Sequence, residues 1–416
     1  MKTHKGNRLK VQNVYRDLFS VLYIVVSLLL FVLWLIDIAI NKDQSLQLDL
    51  FSGRMNNFLA DFTNPTGYCA FRSPYDNIAY ADFLHKQYPP FAYIFFWLFS
   101  KFSWKMESYY AENRFIRMYQ EPFFLFMLFL TFIICGIAIF ELIRQNKTGS
   151  QLMRNGVAFS ALLSFPVFFT IGTGNNTLFA AVFTMIYLFW YDSSNRYQRE
   201  IALISLAAAA ATKLAPAIFG ILLLYEKRWK DALRTIIYGV VLGVLPFCVF
   251  GGGIRYNLPL WIRNLRMAVE GHSPFEGCSI AALILGFIPH ALDSESARMS
   301  ILLINYVFCA FLLVLAPIYR HRWETVLAVS IVVLSIQGQS WYYCLLYMVP
   351  FIIMFLNEEN FSLRCLCIWV AIIVMMSPYM FFSNILRSKV FLCIFLSWLI
   401  MEGVRQLLRL RCDQLR

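Results

Sequence analysis

The sequence predicts an all-α fold, a polytopic bundle of transmembrane helices built from about 10–13 hydrophobic segments. Of its 416 residues, 60% are hydrophobic and only 14% are charged, whereas a soluble globular protein is roughly a quarter charged. The apolar residues also lie in long uninterrupted blocks, several of them near the roughly 20 residues that cross a bilayer. The clearest blocks are Phe19–Ile36, Pro122–Phe140, Ile236–Phe250, Ile301–Ile318 and Val390–Met401. These observations exclude a soluble enzyme, a disordered chain and a secreted disulfide scaffold.

The amino-terminal segment predicts a retained first span. Met1–Asp17 carries five Lys and Arg residues against one Asp. The apolar stretch that follows, about Leu18–Ile40, is too long for a signal peptide and lacks a small-residue cleavage site. The loop Asn41–Tyr88 contains five Asp against four Lys and Arg residues, so we expect the terminus in the cytoplasm and the loop outside. The net charge of +12 lies mostly in short loops and tails, and it therefore does not indicate nucleic-acid binding.

Charge also predicts on which side of the membrane the later loops lie. Counting back from the basic carboxyl terminus, we expect Tyr225–Arg234 in the cytoplasm and Gly251–Ser300 outside. The short apolar stretch Pro89–Phe102 leaves two alternatives open, because either it does not cross the membrane or one basic cluster faces the opposite side. We expect a single integral membrane domain over residues 1–416.

Asp61 is the first candidate functional residue. It lies in the first external loop after Phe58-Leu59, among apolar residues that favour a short interfacial helix. A carboxylate turned toward a cavity at the membrane surface has the chemistry of a general base. The alternative is an ordinary solvated aspartate. Asp49, Asp76 and Asp82 are the other candidates in the same loop.

Lys213 is the second candidate. It follows five consecutive alanines and Thr212 within otherwise apolar sequence. The flanking stretches, Ile201–Ala211 and Leu214–Tyr225, are each too short to cross a bilayer at ~1.5 Å per residue, so we expect a broken helix or hairpin with Lys213 at its turn. An ionisable residue in such a setting is costly and indicates function, and an anionic partner such as a lipid phosphate would offset the cost. The alternative is a lysine that snorkels to the surface.

Two further polar stretches are candidates for sugar binding. A turn at Asn175 and Asn176 separates two apolar stretches and would hydrogen-bond a sugar. Its alternative is a tight external turn. The stretch Gln337–Tyr343 places amides beside Trp341 and Tyr342, whose faces suit sugar rings. Its alternative is the aromatic belt that many membrane proteins have at the interface.

The second external segment contains an amphipathic stretch, Leu258–Val269, in which apolar residues alternate with two arginines. Arg255, Arg263 and His272 in this segment would form a clamp for a phosphate. The alternative is simple anchoring to lipid headgroups.

The ten cysteines lie mostly inside apolar stretches and lack zinc-site spacing. A disulfide framework and a metal site are therefore not predicted. No cofactor is predicted either, and whether a divalent metal takes part stays open.

Taken in chain order, these stretches carry a resemblance. The residues concerned are Asp61, Pro74-Tyr75, Tyr88-Pro89-Pro90-Phe91, Gly174-Asn175-Asn176, Lys213-Leu214-Ala215-Pro216, Arg228-Trp229 and Ser340-Trp341-Tyr342-Tyr343. The chain resembles the polyprenyl-phosphate-mannose-dependent α-mannosyltransferases of bacteria, which are membrane glycosyltransferases of the C-type fold. That family has an acidic residue in its first external loop, a Tyr-Pro-Pro entry to the next span, a Lys-x-x-Pro break after an Ala-rich stretch and a late Ser-Trp-x-Tyr patch.

The resemblance implies a membrane enzyme that transfers a hexosyl, mannosyl-like unit from a polyprenyl-phosphate sugar to a glycan or glycolipid acceptor. It places the reaction at the external face of the plasma membrane, in the cell envelope. The implied reaction inverts the configuration at the anomeric carbon, and Asp61 takes the proton of the acceptor hydroxyl. The residues implied to bind the donor phosphate are Lys213, Arg255, Arg263 and His272. The residues implied to bind the substrates more generally are Tyr75, Tyr88, Asn175, Asn176, Trp341 and Tyr342.

Two other functions compete with this one. A transporter or flippase of lipid-linked glycans would use buried charge along its whole pathway and often shows an internal repeat. Here the charge within apolar sequence is mainly Lys213, with Asp37 near the end of the first span, which favours chemistry at the surface. A polymerase or ligase of lipid-linked glycans is the other alternative, and a larger external loop would be expected of it.

Overall fold

Helices make up the regular structure in the computed structural model of this protein. It describes residues 3–42, 47, 58–71, 73–76, 86–112, 114–271, 277–288, 294–337, 340–381 and 383–414. Within these ranges the pairing of extended backbone is limited to one isolated bridge between Gly277 and Ser340. The all-α bundle predicted from the apolar blocks is therefore confirmed.

The first nine α-helices are α1 (Thr3–Asn41), α2 (Ala60–Phe71), α3 (Pro90–Ser100), α4 (Met106–Glu112), α5 (Pro122–Asn146), α6 (Gln151–Leu162), α7 (Phe165–Thr173), α8 (Thr177–Trp190) and α9 (Arg196–Thr212). The next nine are α10 (Ile221–Tyr225), α11 (Trp229–Val244), α12 (Gly253–Gly271), α13 (Ile280–Leu285), α14 (Glu295–Leu315), α15 (Arg322–Ile336), α16 (Val349–Glu358), α17 (Leu363–Met376) and α18 (Asn384–Gln414). Short 3₁₀ helices connect several of them, at Phe115–Gln120, Ala215–Gly220, Leu245–Val249, Ala316–Ile318 and Tyr342–Met348.

Five helical stretches in the described part are long and apolar enough to cross a membrane. They are Asp17–Asn41, Pro122–Asn146, Trp229–Val249, Glu295–Ile318 and Asn384–Cys412. The pair α6 and α7, bent by 44° at its break, would make a sixth span. Large apolar side chains such as Ile137 on α5 and Val307 on α14 lie exposed on these helices. Apolar surface of this extent on long helices is the surface that lipid covers.

The interior consists of shorter helices. Nearly every residue of α15 and α16 is buried, and α15 packs against both α14 and α16. At ~1.5 Å per residue, the 15 residues of α15 extend over only about 22 Å. The stretch Pro89–Phe102 behaves similarly, since α3 has 11 residues and covers about 16 Å, roughly half of the hydrocarbon core.

The break predicted at Lys213 is present. Helix α9 ends at Thr212, and Lys213 has extended backbone angles of φ −145° and ψ 128°. Its N–H still donates to the Ala209 carbonyl, at 2.8 Å. Pro216 follows in a 3₁₀ helix that packs back against α9, where its fixed φ and missing N–H suit a helix start.

The predicted amphipathic stretch forms α12, which fastens the first loop to the bundle. Its inner face holds Asn257, Trp261 and Asn264. Trp261 Nε1 donates to the Gln87 carbonyl at 2.8 Å, and Asn264 Nδ2 donates to the Tyr75 carbonyl at 2.9 Å. The loop that leads into α3 is therefore held by side chains of a helix far away in sequence.

Charged residues gather at the end of the bundle where α8 finishes and α9 begins. Arg322 pairs with Asp192 there. Arg234 of α11 pairs with Glu200 of α9, and Arg364 of α17 pairs with Glu402 of α18. Hydrogen-bonded ion pairs of this kind fix the relative positions of helix ends.

Gly67 allows α2 to pack closely on the 3₁₀ helix at Phe115–Gln120. A Cβ at this position would overlap the ring of Phe115, which is itself buried. We expect Gly67→Ala to lower the free energy of unfolding by about 1–3 kcal/mol, because overpacking of a filled interior costs that much. The measurement is the thermal unfolding midpoint of the purified protein in detergent.

Gly136→Ala in α5 is the matched control. A Cβ at Gly136 meets no atom within 4 Å, and alanine is the better helix former by about 1 kcal/mol. Its midpoint should stay level or rise. Equal losses in the two variants would contradict the packing explanation.

Candidate active site

The first turn of α2 is seated on the turn between α7 and α8. Leu59, just before α2, donates its backbone N–H to the Gly172 carbonyl at 2.9 Å. It does so with a positive φ of 58°, a conformation that is costly for a side chain of its size. On the other side, Gly174 also has a positive φ, of 71°, and a Cβ there would lie 3.0 Å from the Leu59 backbone. Two unusual backbone conformations are thus held together where the chain segments meet.

This contact places Asp61 against Asn175. Asn175 Nδ2 donates to Asp61 Oδ2 at 2.7 Å, although the two residues are 114 positions apart in the sequence. The orientation of the amide is fixed, because Asn175 Oδ1 accepts from Thr177 N at 2.9 Å and Thr177 Oγ1 at 2.6 Å. The Thr177 backbone N–H can only donate, so oxygen must face it and nitrogen must face the carboxylate. Asp61 also lies in the first turn of α2, where the helix dipole favours a negative charge.

Lys213 lies on the other side of the same site. Its Nζ is 5.1 Å from the ring centre of Tyr88 and 4.8 Å from that of Tyr343, both within cation–π range. Asp61 is close enough to interact with it electrostatically. Among the described residues, Lys213 forms no direct ion pair with a carboxylate, so its charge is held mainly by aromatic faces.

Asn176, next to Asn175, is almost fully buried and has unused hydrogen-bonding groups. Neither its Oδ1 nor its Nδ2 has a partner among the described residues, and it does not cap α8. Buried amides are normally hydrogen-bonded, and an exception requires an explanation. A ligand that supplies one donor and one acceptor, as a sugar hydroxyl does, would satisfy both atoms.

Four rings form an aromatic cluster beside these residues. It consists of Phe165 and Phe169 of α7 with Tyr342 and Tyr343. Phe169 contacts both tyrosines, with ring centres 5.5 and 6.2 Å apart, and Phe165 contacts Tyr342 at 5.4 Å. Trp341, partly buried, precedes this 3₁₀ helix and meets the Tyr342 ring edge-on. The cluster connects the predicted aromatic patch to the surroundings of Lys213.

The two tyrosines of the first loop have different positions. Tyr75 is fully buried, and its hydroxyl donates to the Tyr88 carbonyl at 3.0 Å. Tyr88 in turn presents its ring to Lys213. Tyr75 therefore supports the backbone of Tyr88, and Tyr88 is the member of the pair that contacts the site.

The remaining sequence candidates are not brought to this point by any described contact. Arg255 and Arg263 lie exposed on α12, on the face opposite the asparagines that fasten the loop. His272 lies outside the described residues. The site as the structure describes it combines Asp61, Asn175 and Lys213 with the rings of Tyr88 and Tyr343.

Two neighbours were not among the predicted site residues. Thr177 orients Asn175, and Tyr343 covers Lys213. Tyr343 stands in the aromatic patch that the sequence singled out, but the sequence does not reveal which ring faces Lys213. Thr177 follows the polar turn directly, and an asparagine side chain that accepts the backbone N–H two residues later forms an Asx-type turn.

The arrangement offers a carboxylate, a cation, an unsatisfied amide and aromatic faces at one end of a membrane bundle. Within the described residues, no three His, Cys, Asp or Glu side chains converge to hold a metal ion. A proton acceptor beside a cation can remove a proton at one atom while balancing negative charge at another.

The fold and the site thus define an integral membrane protein with a polar, aromatic-lined site at one end of its helices. A family model of glycosyltransferase family 87 matches residues 87–346, more than half of the chain, and the chain belongs to this family. It is a membrane glycosyltransferase, which requires a sugar donor and an acceptor and works in a lipid bilayer. No curated protein and no solved structure matches the chain. Asn175, Lys213 and Tyr343 lie inside the matched segment, and Asp61 precedes it.

Asn175→Ala should lower the rate of sugar transfer by roughly 10- to 150-fold, because a hydrogen bond to a charged group contributes about 1.5–3 kcal/mol. The matched control is Asn195→Ala at the start of α9. Asn195 Oδ1 also accepts the N–H two residues later, at 2.9 Å, but it lies at the far end of α9. The measurement is the rate of sugar transfer by the purified variants. Equal losses of rate in the two variants would attribute the effect at Asn175 to the disturbed turn rather than to the missing contact with Asp61.

Proposed function

We propose that this glycosyltransferase moves a hexosyl, mannosyl-like unit from a polyprenyl-phosphate sugar to a hydroxyl of a glycan or glycolipid acceptor. The observation that carries the proposal is the meeting of Asp61, Asn175 and Lys213 at one end of the bundle. The acceptor oxygen attacks the anomeric carbon as the bond from that carbon to the phosphate oxygen breaks. Configuration inverts, the acceptor proton passes to a carboxylate, and polyprenyl phosphate leaves.

Asp61 is the proposed general base. The Asn175 amide fixes the rotation of its carboxylate, and the amino-terminal end of α2 favours its ionised form. A base must be ionised and oriented before the acceptor arrives, since a rotating carboxylate spends little time in the reactive geometry. The strain at Leu59 is consistent with this role, because backbone strain is often found where a catalytic group is positioned.

Lys213 is the proposed partner of the leaving phosphate. Negative charge develops on the phosphate as the glycosidic bond breaks, and a cation already in place stabilises it without reorganisation. The rings of Tyr88 and Tyr343 limit where the ammonium can go. Arg255, Arg263 and His272, on the second external segment, are proposed to attract the phosphate headgroup before it enters.

The sugar itself is proposed to bind between Asn176 and the aromatic residues. Asn176 offers a buried donor and acceptor, which matches the hydroxyl groups of a hexose. Trp341 and Tyr342 supply apolar faces of the kind on which sugar rings stack. Tyr75 contributes indirectly, by holding Tyr88.

The reaction is proposed to take place at the external face of the plasma membrane. Charge asymmetry of the loops supports this sidedness. Transport or flipping of a lipid-linked glycan is a weaker alternative, because the described ion pairs concentrate at the opposite end of α8 and α9 instead of following a path across the bundle. A polymerase or ligase would use the same kind of donor on a longer acceptor.

Asp61→Asn should abolish transfer while leaving donor binding and folding intact, because asparagine keeps the shape but accepts no proton. General-base catalysis raises a reaction rate by about 10²–10⁴-fold, and we expect the rate of transfer to fall by at least that factor. The assay measures product from a panel of polyprenyl-phosphate hexoses in matched membranes. Asp49→Asn, Asp76→Asn and Asp82→Asn are the parallel variants. Near-parent turnover by Asp61→Asn with another variant inactive would assign the base elsewhere, and activity in all four would refute the mechanism.

Lys213→Ala should raise the donor concentration needed for half-maximal rate by roughly 10- to 150-fold. This is the change expected because a hydrogen bond to a charged group contributes about 1.5–3 kcal/mol. Lys213→Arg should raise that concentration less, because arginine keeps the charge. The measurement is the dependence of initial rate on donor concentration, with the folded fraction checked by gel filtration. An alanine variant with parent kinetics would leave Lys213 as a residue that merely packs against two rings.

A further inference from the structure

A second cation, Arg387, is buried near the candidate site. It lies in the first turn of α18, and only 2% of its surface is exposed. The sequence gives little reason to notice it, because it stands in the short polar stretch Ser383–Lys389 between two apolar stretches.

The contacts of Arg387 leave its charge uncompensated. The guanidinium lies over the ring of Phe165, 4.2 Å from its centre, and Nη2 donates to the Tyr379 carbonyl at 3.2 Å. Nη1 is buried and has no hydrogen-bond partner among the described residues. None of the described carboxylates forms an ion pair with it.

Such a group is expensive to bury. Arginine stays protonated in proteins and cannot avoid the cost by losing its charge. A buried charge without a counter-charge destabilises a fold strongly, whereas an anion that satisfies it binds correspondingly well. The unused N–H therefore indicates the position of an anionic ligand.

The surroundings supply further groups for that ligand. Tyr342 and Cys278 lie close enough to Arg387 to interact with it electrostatically. The Cys278 N–H donates to the Ser340 carbonyl at 2.8 Å. The buried Ser340 hydroxyl has no oxygen or nitrogen partner in the described part of the chain, and its polar neighbour is the thiol of Cys344, a weak partner. A guanidinium and a hydroxyl with unused donors are groups that bind phosphate oxygens.

We propose that Arg387, assisted by Ser340, binds a phosphate group carried by one of the two lipid substrates. The proposal rests on the proposed function for the identity of those substrates. Lys213 lies over Tyr343 and Arg387 lies over Phe165, and Phe169 joins these two sides of the aromatic cluster. The phosphate belongs either to the donor or to a phosphate-bearing glycolipid acceptor.

Binding of simple lipids tests the proposal without requiring turnover. The probes are sugar-free polyprenyl phosphate with neutral polyprenol as its control, and phosphatidic acid with diacylglycerol as its control. Arg387→Met should weaken the binding of one of the two phosphate lipids by roughly 10- to 150-fold and leave the binding of the neutral lipids unchanged. Loss for polyprenyl phosphate alone assigns the site to the donor, and loss for phosphatidic acid alone assigns it to the acceptor. Unchanged binding of both would overturn the proposal.

Stability without ligand separates this role from a structural one. Methionine is unbranched and apolar, so Arg387→Met removes an uncompensated charge from the interior and should leave the unfolding midpoint level or raised. A large fall would mean that the guanidinium is paired within the protein, and it would refute the anion site. Arg409→Met, an exposed change in the same helix, is the control and should alter neither binding nor midpoint.

The two proposals fail in different ways. If polyprenyl phosphate binds through Arg387 but no polyprenyl-phosphate hexose supports transfer by the parent enzyme, the proposed donor is wrong and the anion site stands. If transfer proceeds while Arg387→Met binds both phosphate lipids as the parent does, the anion site is wrong and the proposed reaction stands.

Discussion

The seating of α2 on the turn between α7 and α8 is the contact on which the candidate site depends. It joins the start of α2 to the interior through one backbone hydrogen bond, from Leu59 to Gly172, and one side-chain bond, from Asn175 to Asp61. Gly174 makes the close approach possible, because a Cβ at this position would lie 3.0 Å from the Leu59 Cα. Without this seating, Asp61 would be a loop carboxylate with no fixed relation to Lys213.

The cations beside the candidate site are held differently from those where α8 ends and α9 begins. At the end with Arg322 and Asp192, acids and bases pair directly, and the pairs hold helix ends in place. Beside the candidate site, Lys213 and Arg387 rest on aromatic rings. Rings attract a cation but do not neutralise it, so positive charge remains for an anion to meet. A lipid phosphate that reaches this site would find cations whose charge is not already satisfied.

Much of the fold could be predicted because helices that cross a membrane are recognisable in the sequence by their length and apolar composition. The first span, the helix from Pro122 and the break at Lys213 follow from apolar runs and from one lysine among alanines. The sequence pattern also singled out Asp61 and Asn175 as separate candidates, but it could not pair them, because a contact across 114 positions leaves no local signal. Arg255 and Arg263 show the same limit, since a periodic pattern marks an amphipathic helix without saying which face meets the site. Arg387 escaped notice because burial of a polar residue in a short connecting stretch depends on tertiary packing alone.

The locked amide of Asn175 has a consequence for chemical ageing. Hydrolysis of an asparagine side chain replaces its nitrogen by oxygen and begins when the next backbone nitrogen attacks the amide carbon. At Asn175 that event would exchange the donor facing Asp61 for a second negative oxygen, and two carboxylates in contact repel each other. Burial and the two hydrogen bonds that Thr177 donates to Asn175 Oδ1 restrict the side-chain rotation that such an attack requires. The same packing that orients the carboxylate therefore also disfavours a slow loss of the contact between Asn175 and Asp61.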